Sequence, residues 1–123
     1  MDTIELFINQ AIEFKKNNKL EEAIASYSEA FDYLLMEARN YAQKTVGYID
    51  EGEKRTISQE YFNAVQKYFQ RDKNASHISN NAGVLFARLG DYENAKKWFQ
   101  QAIDLYPVGE IYEEAVVNRN NLK

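Results

Sequence analysis

The sequence predicts an all-α fold of about six helices, and three observations carry that prediction. Apolar residues recur every three or four positions over long stretches, which gathers them on one face of an α-helix. The 123 residues include one proline and five glycines, too few turn formers for a β-sandwich of this length. Several apolar positions also recur at one constant offset, as if a helical pair had been copied along the chain. Hydrophobic residues make up 45%, and Tyr (9), Phe (7) and Trp (1) supply large side chains. That is enough apolar material to fill the core of a single domain over 1–123 and too much for a disordered tail.

The first helix is expected over 3–17, where Ile4, Phe7, Ile8, Ala11, Ile12 and Phe14 share a face. Asp2 or Thr3 can cap it by accepting from the free amides of the first turn. Lys15 and Lys16 lie near its C-terminus, where the helix dipole favours cations. Asn17-Asn18-Lys19 breaks the pattern, and Asn tolerates the left-handed conformation of a tight turn. A second helix starts near Leu20 and carries Ala23, Ile24, Tyr27, Ala30, Phe31, Leu34 and Leu35. No Gly or Pro stops it before Gly47, so it can run for about 25 residues, well past the usual three or four turns. Two glycines and a charged run then mark a loop at 47–56.

The helical period returns over 57–72 through Ile57, Tyr61, Ala64, Val65, Tyr68 and Phe69. A fourth helix fits 76–89, Gly90-Asp91 is a turn, and a fifth helix fits 92–106 before Pro107 stops it. A short closing helix is expected between 109 and 120.

Six pairs of residues match at an offset of 72: Ala11/Gly83, Phe14/Phe86, Leu20/Tyr92, Ala23/Ala95, Tyr27/Phe99 and Ala30/Ala102. In the later copy the order Gly83, Phe86, Gly90, Tyr92, Ala95, Phe99, Ala102, Pro107 resembles the tetratricopeptide repeat, a helix–turn–helix unit of about 34 residues. The resemblance covers 76–109, and 4–37 is a second unit that departs from the pattern at Asn18 and Leu35. It implies an α-solenoid of tetratricopeptide-like helical hairpins. The physical logic agrees: small residues let two helices approach, and the aromatics fill the space beside them. The offset exceeds two periods by four, so a degenerate repeat could occupy 38–75. The residues fit better an irregular middle, in which the second helix overruns, 47–56 loops, and the following helix packs against the second unit. Residues 110–123 close the domain.

Other chemistry is excluded by composition. With 15 Lys+Arg against 19 Asp+Glu the net charge is −4, which argues against a nucleic-acid partner. Cysteine is absent, which removes disulfides, thiol catalysis and Cys-ligated metals. His77 is the sole histidine and sits among polar residues at a helix start, which fits an exposed or capping role. The glycines form no phosphate-binding pattern, and the run Asp50-Glu51-Gly52-Glu53-Lys54-Arg55 lacks the spacing of a calcium loop. No cofactor, metal or catalytic site is therefore expected, and the protein is not read as an enzyme. No apolar run reaches the roughly 18–20 residues that span a bilayer, and the acidic N-terminus lacks a signal peptide's basic start. A cytoplasmic protein without a membrane partner is the expectation.

Function is then expected on a surface. In tetratricopeptide arrays the first helix of each pair lines a concave groove, so the resemblance implies a non-catalytic scaffold binding a peptide or partner helix there. By position the groove residues would be Ile8, Asn9, Ile12 and Lys16, and His77, Asn80, Asn81, Val84 and Arg88. Asn9 pairs with Asn81 and Lys16 with Arg88 at the offset of 72. Asparagine can donate to and accept from a peptide backbone, and the cations favour an acidic partner. The carboxylate clamp of some relatives is not supported, because Ile8 and Ile12 stand where it needs Lys and Asn. The alternative is a homo-oligomer or adaptor that uses Tyr61, Phe62, Tyr68 and Phe69 as an exposed aromatic face.

Overall fold

The computed structural model describes residues 2–46 and 59–122; the loop expected at 47–56 lies outside them. Among the described residues there are six helices and no strand: α1 (Thr3–Lys16), α2 (Leu20–Val46), α3 (Gln59–Phe69), α4 (Asn74–Arg88), α5 (Tyr92–Asp104) and α6 (Glu113–Asn120). The all-α fold is as the periodicity predicted, and α2 runs to 27 residues.

Both hairpins turn in the same way. Asp2 caps α1, its carboxylate accepting from the Glu5 amide at 2.9 Å. After α1 the Asn18 amide donates to the Lys15 carbonyl at 3.0 Å and the Lys19 amide to the Phe14 carbonyl at 2.8 Å. After α4 the Gly90 amide donates to Ala87 at 3.0 Å and the Asp91 amide to Phe86 at 3.0 Å. Asn18 and Gly90, equivalent in the repeat, both stand in the left-handed region, with φ of 59° and 80°. This pair of bonds is the Schellman ending, which satisfies two carbonyls of the last turn.

α1 packs on α2, and α4 on α5. In the second pair Gly83 lies against Phe99, so close that a Cβ there would sit 2.6 Å from the ring. α2 also packs on α4, joining the two hairpins side by side. Ala11, Ala23, Ile24, Tyr27, Ala30, Leu34, Ala38, Ala75, Ile78, Ala82 and Leu85 form a single buried cluster across that junction.

The second half of α2 packs against α3, where Tyr41 meets Tyr68 with ring centroids 5.4 Å apart. α3 thus runs back along α2, and α4 continues beside the first half of the same helix. The main partner of α3 is α2 rather than the second unit, contrary to the sequence expectation. Toward the second unit, Phe69 stacks on Phe31 of α2, which meets Trp98 of α5 edge-on, and just past α3 the Gln70 amide donates to the Asp104 carbonyl at 3.0 Å.

α3 closes at Phe69 rather than at 72, and three further helix ends differ from expectation for local reasons. α4 begins early, at Asn74, because the Asp72 carboxylate accepts from the Asn74 amide at 2.9 Å. α5 ends at Asp104, since Leu105 turns into the core and Tyr106 leaves the helix to stack on Tyr112 at 4.7 Å. α6 begins only at Glu113, because Gly109 has a φ of +85° that no helix continues.

Candidate interaction groove

α1 and α4 lie on the same side of the molecule, and a cleft of about 390 Å³ opens between them. Ile12, Lys15 and Lys16 come from α1, Asn81 and Arg88 from α4, and Tyr27 of α2 forms the floor. Residues 81 and 88 are two turns apart on one face of α4, as 12 and 16 are one turn apart on α1. Tyr27 is buried, and its hydroxyl hydrogen-bonds with Asn81. Burial raises the phenol's pKa, and the Asn81 bond partly offsets the rise.

The electrostatics of this cleft run against those of the chain. Lys15, Lys16 and Arg88 are exposed, and no carboxylate lines the cleft among the described residues. Among the described residues the ion pairs join Arg71 to Asp72, Lys73 to Glu110 and Lys97 to Glu93, all away from the cleft, leaving these three cations unpaired. Three unpaired charges around an apolar Ile12 attract an anionic group without prior loss of an internal partner.

A second cleft, of about 350 Å³, lies on the other flank of α4. Its lining is Val84, Ala87 and Arg88 of α4, Tyr92 and Phe99 of α5, and Asn118, Asn121 and Leu122 at the C-terminal end. Arg88 borders both clefts.

The structure brings together Ile12, Lys16, Asn81 and Arg88 from the sequence-predicted set, and sets Val84 on the adjoining cleft. Ile8 is half-buried against the core. Asn9 is exposed but does not line the cleft. Its counterpart Asn81 faces the preceding hairpin, so the same register turns Asn9 away from α4. Asn80 is not a groove residue: it is 1% exposed. α6 covers it, with Asn118 donating to the Asn80 side-chain oxygen at 3.1 Å, and Tyr112 also hydrogen-bonds with Asn80. His77 is exposed beside α6, its ring 5.6 Å from that of Tyr112. Sequence reasoning misses Lys15 and Tyr27 as groove residues. Lys15 reads as a helix-end cation and Tyr27 as core, and the rim exposed by a core residue carries no periodic signal.

The aromatic face expected on α3 does not form as a unit. Phe69 is buried, and Tyr68 is half-buried under Arg71, whose guanidinium lies 3.9 Å from the ring centroid. Phe62, 55% exposed, remains at the edge of a cleft between α3 and α5. Among the described residues no group of three or more His, Asp or Glu is placed to hold a metal ion. No helix there is long and apolar enough to cross a membrane.

Paired antiparallel helices, packed side by side with small residues against aromatics and a groove along their first members, define a helical-repeat protein. Residues 76–108 match the family model of the tetratricopeptide repeat. The match falls on the later unit, the stretch whose signature positions carry the resemblance. Such repeats are protein-interaction modules and generally non-catalytic. Among curated proteins none matches the chain.

Proposed function

We propose that the protein is a non-catalytic interaction module that binds an acidic peptide or partner helix in the groove between α1 and α4. The observation that carries this reading is the set of three unpaired cations around Ile12 and the Tyr27–Asn81 pair on a chain of net charge −4. Asn81 keeps hydrogen-bonding capacity beyond its bond to Tyr27 and can engage a peptide backbone. Binding should weaken as salt rises, because exposed charges are screened beyond about 8–10 Å at physiological ionic strength.

The test is a phage-displayed library of random dodecapeptides, panned against the whole chain and against the double variant Lys16→Glu, Arg88→Glu. Acidic peptides should be enriched on the natural chain and not on the variant, with helical circular dichroism equal in both. Equal enrichment on the two would remove the groove as the site. A second reading, a homo-oligomer, is favoured by Phe62 alone, exposed at the α3/α5 cleft. Sedimentation equilibrium would then give a dimer that Phe62→Ser dissociates.

A further inference from the structure

We infer that the groove is a track of two equivalent subsites that together read a two-part peptide motif: an acidic side chain at the α1/α4 cleft and an apolar one at the cleft between α4 and α6. This rests on the groove reading above and adds the specificity of the site.

The equivalence lies in the lining residues. Ile12, Lys15, Lys16 and Tyr27 of the first cleft correspond, at the offset of the repeat, to Val84, Ala87, Arg88 and Phe99 of the second. Asn81, across the first cleft on α4, has Asn118 as its counterpart across the second on α6. One cleft is thus repeated at the two hairpin boundaries, with α6 standing where the first helix of another hairpin would stand.

Two substitutions within this frame separate the chemistry. Lys15 of the first cleft becomes Ala87 in the second, which removes a cation. Tyr27 becomes Phe99, which removes the floor hydroxyl and its bond to an asparagine. The second cleft therefore has an aromatic floor with Val84, Ala87, Tyr92 and Leu122 around it. Arg88 is its sole charged lining residue among the described residues. An apolar side chain gains there by leaving water, while an anionic one meets a single cation at the rim. The first cleft offers three cations and polar floor groups, and selects the reverse.

The spacing follows from helix packing. Neighbouring helices lie about 8–10 Å apart, and an extended chain advances about 3.3 Å per residue. The two anchors of an extended peptide should then lie about three residues apart. Arg88, on the ridge between the clefts, is placed to contact the peptide between them.

The library described above tests this through sequence rather than enrichment alone. Selected peptides should pair Asp or Glu with Leu, Ile, Met or Phe at a spacing of about three. Ala87→Lys, an exchange well tolerated within a helix, should convert the second subsite. Its selected peptides should carry two acidic residues, and binding of an acidic–apolar dodecapeptide should fall about five- to tenfold. Lys15→Ala should leave the apolar preference intact and weaken the acidic one. Enriched acidic peptides with no apolar partner at fixed spacing, or an unchanged motif on Ala87→Lys, would overturn the two-subsite reading and leave the groove standing. Enrichment of no peptide at all would overturn both. So would a self-dimer that Lys16→Glu dissociates, since the groove would then be filled by a second copy.

Discussion

Gly83 and Phe99 meet so closely that residue 83 has no room for a methyl group: a Cβ would lie 2.6 Å from one ring carbon and 2.7 Å from the next. Alanine normally gains about 1 kcal/mol over glycine within a helix. Here overpacking should win, and Gly83→Ala should lower stability in urea by about 1–3 kcal/mol. The double variant with Phe99→Leu should show positive coupling, because the smaller side chain relieves the clash; strict additivity would place the ring elsewhere. Asn18 gives the opposite case. Its φ of 59° is strained for any side chain, though least so for asparagine. Asn18→Gly, which restores the residue found at the equivalent turn, should raise stability by up to about 1 kcal/mol. A loss would mean that the Asn18 side chain contributes more than its backbone costs. The residues of the groove are partly legible in the sequence. Ile12, Lys16, Asn81 and Arg88 follow from the repeat offset and from helical phase. Asn80 misleads because helical phase gives its direction but not that a later helix lies over it. Tyr27 escapes notice because a side chain can be buried and still form the floor of a cleft.

The six helices follow from their apolar spacing, and the length of α2 from the lack of a breaker before Gly47. Their ends are less legible, since they depend on single contacts: the Asp72 carboxylate that starts α4 early, and the Gly109 backbone that delays α6. The docking of α6 also depends on few contacts, among them the stacking of Tyr112 on Tyr106 and its bond to Asn80. Burial, with the negative charge of Glu114 and then Tyr106 adding to it, pushes the Tyr112 phenol up to about 12 from its ordinary 10.0. The folded state therefore favours the neutral phenol. Its stabilising share is complete below pH about 10 and is lost as pH rises from there to about 12. Chemical denaturation across that range should show a shallower decline for Tyr112→Phe than for the natural chain. Parallel declines would mean that Tyr112 ionises equally in both states.

At the scale of the whole molecule, α2 is the common support: α1 lies on one side, and α3 and then α4 run back along its length. Among the described residues the second half of α2 pairs with α3 while its first half pairs with α4. The sequence leaves open whether 38–75 is a degenerate repeat or an irregular middle, because the offset between the two units can be divided by either scheme. This arrangement orders the entropy of folding. If α4 met α2 directly, it would close a loop of everything from Leu35 to Asn74. Once α3 has zipped onto α2, only the short link between Phe69 and Asn74 remains to be closed. On the logarithmic dependence of closure entropy on loop length, that lowers the cost of the docking step by about 2 kcal/mol. The extension is then a zipper that delivers the second hairpin to the first. Ala42→Gly, within the zipper and distant from the groove, should cost about 1 kcal/mol and slow refolding in stopped-flow measurements by a matching factor. If unfolding quickened and refolding kept its rate, the second hairpin would have docked before the zipper closed.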